Sequence, residues 1–209
     1  MIIKQKGRKT ILKVNCNDNG IKKAQQIIEQ GGIIIFPTDT VYGIGCNPYN
    51  KTSVKKIYDL KSREFSKPFP ILVDSKETAK KIGVFDEISD KITEKFWPGP
   101  LTIILKLTDE NLKKSLNLED RIAVRVPNNE CVLKLLKKCN FLVGTSANIS
   151  NQKSSSNPDE CLKNMKDFDI FVDGGIIDSK GESTIIEIEE GKVKIIREGS
   201  LSKDEILKC

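Results

Sequence analysis

The sequence FLVGTSANISN, residues 141–151, gives the clearest indication of how this chain is organised. Its first three residues are apolar and predict a short buried strand that ends at Gly144. Hydroxyl and amide side chains then continue to Asn157, a run longer than a simple turn needs. Ligands of open α/β sheets bind where strands end, so these groups form a candidate ligand wall. Taken alone, however, a cluster of serines and asparagines more often marks an ordinary loop.

The composition fits a globular domain that is rich in lysine. The chain has 209 residues, of which 38% are hydrophobic and 31% charged, and this length can bury a sizeable core. No repeat, linker or shift in composition is visible, so we expect one domain over residues 1–209 with a core at about 15–200. The net charge of +6 suits a polyanionic ligand, such as a nucleotide or RNA, without requiring one.

The cysteines and the absence of histidine exclude several kinds of site. Six cysteines occur, at positions 16, 46, 131, 139, 161 and 209, with no Cys-x-x-Cys pair. Without histidine there is no histidine-dependent zinc site and no Ser-His or Cys-His nucleophile pair. We therefore expect no metal held by the protein, and reduced cysteines in a cytoplasmic protein. Residues 1–6 lack a signal-peptide core, and no apolar run is long enough to span a membrane.

Apolar periodicity predicts strands and helices that alternate along the chain. The predicted strands cover residues 10–14, 33–36, 69–73, 102–107, 122–126, 141–144, 185–188 and 193–196. The predicted helices cover residues 20–30, 52–61, 76–82, 86–96 and 130–138, with two more after Asn157 and Ser202. For the first helix we expect Asp18 or Asn19 as N-cap, and for the second Thr52 or Ser53. Residues 109–120 are predicted to be a polar connection.

Several strand ends carry small hydroxyls or cations. The sequence FPTDTVYGIG, residues 36–45, is either an ordinary connection or a second ligand wall. Lys61, Arg63 and Lys67 either complement a helix dipole, the commoner case, or clamp a phosphate. Arg125 lies between apolar neighbours of a strand, so it must be paired or face an anion-binding cleft. With Arg197 these cations could hold a triphosphate accompanied by Mg²⁺; the P-loop and Rossmann fingerprints are absent.

Residues 36–45 resemble the signature of the YrdC-type family, the threonylcarbamoyl-AMP synthases. Further family motifs follow in order: KSR at 61–63 with Lys67-Pro68, WPGPLT at 97–102, AVRVP at 123–127, SAN at 146–148, and DGG at 173–175 before Ser183-Thr184. The resemblance covers roughly residues 15–200. It implies a single-domain α/β fold with a twisted, mixed parallel and antiparallel sheet, flanking helices and a concave basic groove.

The resemblance also implies an activity, that of a nucleotidyltransferase. Such enzymes make L-threonylcarbamoyl-AMP and pyrophosphate from L-threonine, bicarbonate and ATP, with Mg²⁺ accompanying the ATP. The product feeds the t6A modification of tRNA, which a separate tRNA threonylcarbamoyl transferase complex completes. The attacking carbamate is already anionic, so the reaction needs positioning and charge stabilisation more than a histidine base.

By position, the resemblance assigns residues to three roles. The catalytic residues are Lys61 and Arg63. The ATP-binding residues are Arg63, Lys67, Arg121, Ser146, Ala147, Asn148, Ser155 and Arg197. The threonine-binding residues are Thr40, Arg125, Thr145, Ser183 and Thr184. The sequence departs from the family at Ser62, where glycine is frequent, and at Leu72, where a histidine that contacts threonine is frequent. We expect no extra C-terminal domain of the kind that longer relatives carry.

Three alternatives stay open from the sequence. A related domain in hydrogenase maturation makes carbamoyl-AMP, but the acylphosphatase and zinc-finger segments of that protein are absent here. A double-stranded RNA or tRNA binder would use the same basic groove, with strong salt dependence and no need for threonine. A catalytically dead scaffold is disfavoured, because the family residues Lys61, Arg63, Ser146 and Asn148 are all present.

Overall fold

A computed structural model describes residues 2–3, 10–178 and 180–208. The sequence predicted a reduced Cys209 and no signal-peptide core in residues 1–6. Cys209 and most of residues 1–6 lie outside the described residues. Among the described residues, no helix is long and apolar enough to cross a membrane.

The described strands form two mixed sheets. They are β1 Ile2–Ile3, β2 Ile11–Asn15, β3 Ile34–Phe36, β4 Gly43–Gly45, β5 Ile71–Val73, β6 Gly83–Val84, β7 Leu101–Leu107, β8 Arg121–Arg125, β9 Phe141–Val143, β10 Thr145–Ser146, β11 Ile170–Asp173, β12 Thr184–Glu189 and β13 Lys192–Arg197. The first sheet has the order β1-β2-β11-β3-β4-β10. The second has the order β13-β12-β7-β8-β5-β9, with β6 paired to β7. The predicted mixed α/β class is confirmed, and its strands divide between two sheets.

The described helices connect these strands. They are α1 Asp18–Glu29, α2 Lys51–Lys61, α3 Lys76–Ala79, α4 Glu87–Phe96, α5 Glu110–Leu116, α6 Glu130–Cys139, α7 Pro158–Asn164 and α8 Lys203–Leu207. The predicted connection over residues 109–120 contains α5, because Leu112 and Leu116 lie one turn apart and are both buried. The helix predicted over residues 76–82 ends at Ala79, and β6 follows it.

The predicted N-caps of α1 and α2 are wrong by one or more positions. The side chain of Asn17 accepts the Gly20 N–H at the start of α1. The side chain of Asn50 accepts the Ser53 N–H at the start of α2. In both cases an asparagine precedes the expected cap, and its side-chain oxygen satisfies an N–H group of the first helical turn.

The segment 141–146 passes from one sheet to the other. Strand β9 pairs with β5 antiparallel in the second sheet, whereas β10 pairs with β4 in the first. Between them, a Cβ added at Gly144 would lie 2.4 Å from Leu72 Cγ, so glycine is required. The sequence predicted that the SAN residues follow the end of a strand in a single open sheet. In the structure they lie where the chain crosses from one sheet to the other.

Two apolar clusters form the core. The larger is built from both sheets and includes Ile35, Ile71, Ile103 and Val124. The smaller packs α1 against strands of the first sheet and α6 against β5 and β9 of the second.

Cys16 and Cys131 form a disulfide that joins the start of α1 to the start of α6. The expectation that every cysteine is reduced is wrong for this pair, because helix packing brings together two residues 115 positions apart. Cys46, Cys139 and Cys161 are free thiols.

Candidate active site

A cleft of about 570 Å³ is lined by residues of both sheets. One wall is a face of the second sheet, to which alternate residues of neighbouring strands contribute: Thr102, Ile104, Ala123 and Arg125. The facing wall comes from residues 38–43, from the end of α2 with the loop that follows it, and from residues 144–152. The two segments that the sequence identified as candidate ligand walls, 36–45 and 141–151, thus line one cleft.

Lys61, the last residue of α2, is 2% exposed. Its ammonium donates to the Ser146 carbonyl at 2.5 Å, the Asn148 carbonyl at 2.8 Å and Asn148 Oδ1 at 2.9 Å. Burial, and next the charge of Arg63, lower the pKa of Lys61 to about 8. Because three acceptors occupy its three hydrogens, Lys61 holds the SAN loop against α2.

The SAN loop is also bonded within itself. Ser146 Oγ donates to Asn148 Oδ1 at 2.7 Å, and Asn148 Nδ2 donates to the Gln152 carbonyl at 2.5 Å. The amide of Asn148 therefore has partners on both sides, which fixes the backbone that faces the cleft.

Arg63 and Lys67 belong to the loop that follows α2. Arg63 Nε donates to the Lys67 carbonyl at 2.7 Å, and Nη2 donates to the Pro68 carbonyl at 3.2 Å. The guanidinium lies 5.1 Å from the centroid of the Phe69 ring, a cation–π arrangement. Burial lowers the pKa of Arg63, although arginine stays charged. Lys67 is exposed and pairs with Glu64 at 3.1 Å, an interaction that solvent screens.

Arg125 is buried in the floor of the cleft, with 6% exposure. Its Nη2 donates to Asp39 at 2.6 Å, Nη1 to Thr40 Oγ1 at 3.1 Å, and Nε to the Gly99 carbonyl at 3.0 Å. Burial lowers the pKa of Arg125, and the Asp39 carboxylate opposes that effect. The strand arginine singled out in the sequence is thus paired and also faces a cleft.

Arg197, in β13, closes the cleft from the side of the β12–β13 hairpin. It donates to the Ser183 carbonyl at 2.8 Å, to Ser183 Oγ at 3.2 Å and to the Glu182 carboxylate at 2.5 Å. Ser183 Oγ also lies 3.0 Å from Thr102 Oγ1. These contacts place one cation and two hydroxyls on the same rim.

Tyr42 links the loops around the cleft from behind. Its carbonyl accepts the Ala147 N–H at 2.8 Å, and its N–H donates to the Ser155 carbonyl at 2.9 Å. Its hydroxyl donates to the Gly175 carbonyl at 2.8 Å, and burial raises its pKa. Residues 36–45 therefore position the loops after β10 and β11 as well as lining the cleft.

Most of the sequence-predicted site residues line the cleft: Thr40, Lys61, Arg63, Lys67, Arg125, Thr145, Ser146, Asn148, Ser183 and Arg197. Four others do not. Arg121 is exposed and pairs with Glu187 and, at 3.7 Å, with Glu189. Ala147 is buried behind the SAN loop, Ser155 Oγ bonds the Asn157 carbonyl and Glu160, and Thr184 Oγ1 donates to the Leu201 carbonyl.

Three carboxylates at or beside the cleft were not predicted as site residues. Asp39 pairs with Arg125, Glu64 pairs with Lys67, and Glu182 pairs with Arg197. Asp39 lies within the motif of residues 36–45, which could have identified it as a site residue. Its ion-pair partner could not be identified in this way, because Arg125 is 86 residues away in the sequence. Among the described residues no group of three or more Cys, Asp or Glu side chains could hold a metal ion.

The family model for Sua5, YciO and YrdC proteins, described as telomere recombination, matches residues 26–199. The chain belongs to the Sua5/YciO/YrdC family. A Methanocaldococcus jannaschii relative named "Putative threonylcarbamoyl-AMP synthase" is 37% identical over 202 residues, which cover 92% of this chain and 94% of the relative. A threonylcarbamoyl-AMP synthase of Pyrococcus abyssi is 31% identical, over 90% of this chain and 56% of the relative. The chain thus spans slightly more than half of that longer family member.

The solved structures show the same fold. Pyrococcus abyssi Sua5 in complex with L-threonine superposes with a TM-score of 0.87 at 31% sequence identity, covering 95% of this chain and 60% of that one. The Sua5/YciO/YrdC fold is thus present over nearly the whole of this chain.

Proposed function

We propose that this protein is an L-threonylcarbamoyladenylate synthase, a nucleotidyltransferase. L-Threonine and bicarbonate combine into a carbamate with loss of water. A carbamate oxygen then attacks the α-phosphorus of ATP, the bond to the β-phosphate oxygen breaks, and pyrophosphate leaves. The products are L-threonylcarbamoyl-AMP, pyrophosphate and water.

The proposal rests on one cleft whose lining includes five cationic side chains, from the end of α2 and the loop after it and from strands β8 and β13. The chain is a family member, and its 37%-identical relative bears that enzyme name. Lys61, Arg63, Lys67 and Arg197 supply positive charge around the cleft, as a triphosphate and a leaving pyrophosphate require. Ser146, Asn148, Thr145 and Ser183 supply small polar groups that can orient the reactants.

In this mechanism the side chains act through position and charge. Lys61 keeps the SAN loop in place, and Arg63 and Arg197 stabilise the negative charge on the transferring and leaving phosphates. The nucleophile is an anion before it attacks, so no residue has to remove a proton from it at that step. This agrees with a histidine-free chain.

Threonine is assigned to the Arg125 end of the cleft. Its carboxylate would share the guanidinium with Asp39, and its polar groups would meet Thr40, Thr145 and Ser183. Leu72 pairs in register with Arg125 and lines the cleft beside it. The amino acid therefore lies against an apolar side chain where many relatives place a histidine.

Mg²⁺ is assigned to the ATP and not to a protein cage. The lining carboxylates Glu64 and Glu182 are each paired with a cation, so ligands for the ion come mainly from phosphate oxygens and water. The ion neutralises part of the triphosphate charge when bound.

The product would pass to a tRNA threonylcarbamoyl transferase complex for the t6A modification. That partner, direct tRNA binding and a cytoplasmic location stay predictions.

Pyrophosphate release tests the proposal. Purified protein is incubated with ATP, Mg²⁺ and bicarbonate, with and without L-threonine. We expect release that depends on both threonine and bicarbonate and is much weaker with L-serine. Threonine-independent turnover of carbamoyl phosphate would favour the carbamoyl-AMP alternative. Salt-sensitive tRNA binding without any pyrophosphate release would favour the RNA-binding alternative.

A further inference from the structure

Ser150 Oγ is a buried hydroxyl with no hydrogen-bond partner in the part of the chain that the structure describes. Buried hydroxyls are almost always paired, and an unpaired one in a folded protein calls for an explanation. Asp90 Oδ1 is the other such atom among the described residues, but it lies 2.8 Å and 3.0 Å from the ammonium groups of Lys76 and Lys80. Ser150 Oγ has no such charged neighbour among the described ion pairs.

The position of Ser150 connects it to the cleft. The residue is among those that line the cleft, and its N–H donates to the Lys61 carbonyl at 2.8 Å. This bond fixes the Ser150 backbone against the end of α2, where the cation-bearing loop of Arg63 and Lys67 begins. Ser150 is partly exposed as a residue although its Oγ is buried, and the movement that the proposal requires of the hydroxyl is a change of its χ1 rotamer.

We propose that Ser150 Oγ donates a hydrogen bond to a phosphate oxygen of the nucleoside triphosphate bound in this cleft. This inference rests on the proposed function. A hydroxyl on a phosphate makes a charge-assisted hydrogen bond, stronger than one between neutral groups. The hydroxyl has no partner among the described residues, and the phosphate supplies one.

The proposal predicts two effects of opposite sign for Ser150→Ala. Without nucleotide, removal of a buried unsatisfied hydroxyl leaves the melting temperature unchanged or raises it. With nucleotide, the lost hydrogen bond weakens ATP binding about 10- to 100-fold. A serine with a purely structural role would show the reverse pattern, with a lower melting temperature and unchanged binding.

The experiment compares the full chain with Ser150→Ala and with Ser154→Ala, which removes a hydroxyl from the same loop outside the cleft lining. ATP, 2′-deoxy-ATP and adenosine are titrated against each protein by calorimetry, and melting temperatures are recorded without ligand. We expect Ser150→Ala to weaken ATP and 2′-deoxy-ATP equally, to leave adenosine binding unchanged, and to retain the wild-type melting temperature or exceed it. Ser154→Ala should match the wild type throughout.

Three results would overturn the assignment: unchanged ATP affinity in Ser150→Ala, a lower melting temperature of that variant without ligand, or weaker binding of ATP but not of 2′-deoxy-ATP, which would indicate a ribose contact. If the wild-type protein binds ATP and releases pyrophosphate in these cases, only the assignment of Ser150 fails. If the wild type binds no ATP, the proposed function fails with it.

Discussion

The ammonium group of Lys61 lies 2.9 Å from the side-chain oxygen of Asn148, 87 residues further along the chain. With the two carbonyls that it also contacts, this pair joins the end of α2 to the SAN loop. The resemblance assigns Lys61 to catalysis. Because its three hydrogens have acceptors within the protein, we expect Lys61 to act by positioning the SAN loop.

Lys61→Met should remove this connection while it preserves most of the side-chain volume. The carbonyls of Ser146 and Asn148 then lose a charged donor, and each such bond contributes about 1.5–3 kcal/mol. We expect the SAN loop to loosen, ATP affinity to fall, and pyrophosphate release to drop roughly 100-fold or more. Calorimetric ATP titration and initial rates measure both effects.

Lys56→Met is the matched control, because Lys56 is an exposed lysine of the same helix that does not line the cleft. It should retain wild-type affinity and rate. Wild-type ATP affinity in Lys61→Met would contradict the positioning role.

The same ammonium predicts a pH dependence. Burial lowers the pKa of Lys61 from 10.5 to about 8, so the side chain loses a proton as the pH rises through that value. Two N–H groups then remain for three acceptors, and ATP affinity should fall with an apparent pKa near 8.

The effect on stability has the opposite sign. Between the folded pKa of about 8 and the ordinary value of 10.5, the unfolded chain binds more protons than the folded one. The contribution of Lys61 to the free energy of unfolding therefore increases with pH in this window. Denaturation of the wild type and of Lys61→Met is measured at several pH values. The difference between their free energies of unfolding isolates the contribution of Lys61, because tyrosines and thiols that titrate in the same pH range are present in both proteins. A constant difference across the window would contradict the lowered pKa.

Local patterns in the sequence predicted individual strands but not how those strands are arranged in sheets. The hydrophobic runs predicted β3, β8 and the β12–β13 hairpin, because each is a local pattern of alternation or burial. The division into two sheets was not predictable in this way, since strand partners depend on contacts between distant residues. The passage of residues 141–146 from one sheet to the other depends on such pairings with β5 and β4.

Side-chain direction limited the prediction of individual residues. Ser183 and Thr184 are neighbours at the start of a strand, so they point to opposite faces, and only Ser183 lines the cleft. Arg121 and Arg125 lie four residues apart in β8 and so point to the same face, but Arg121 lies outside the cleft lining and meets the carboxylates of Glu187 and Glu189. Sequence position alone could not distinguish a cation that faces the cleft from one that is paired elsewhere.

Asp39→Ala should destabilise the fold strongly, because it leaves the buried Arg125 without its carboxylate. Breaking a buried ion pair on one side typically costs about 3–5 kcal/mol. Asp39→Asn keeps an oxygen acceptor at the same place and should cost less. Chemical denaturation compares the two variants. Equal losses in both would indicate that the charge of Asp39 contributes nothing to the stability of Arg125.

L-Threonine should partly rescue Asp39→Ala. In the proposed site its carboxylate contacts Arg125, so in the variant it would neutralise a charge that has lost its partner. We expect saturating L-threonine to raise the melting temperature of Asp39→Ala more than that of the wild type. A smaller rise in the variant would argue against Arg125 as the carboxylate-binding residue.

Reduction of the Cys16–Cys131 disulfide should lower stability. The bond closes a loop of 115 residues, and cross-links of this kind typically contribute about 2–4 kcal/mol, largely through the unfolded chain. We expect a reductant, or Cys131→Ala, to lower the free energy of unfolding by about 2–4 kcal/mol. Cys139→Ala, which removes a free thiol that packs against the same apolar cluster, should show no dependence on reductant beyond that of the wild type. Alkylation of the denatured, unreduced protein provides the direct count: four of the six cysteines should react if the disulfide is present, and six if it is not.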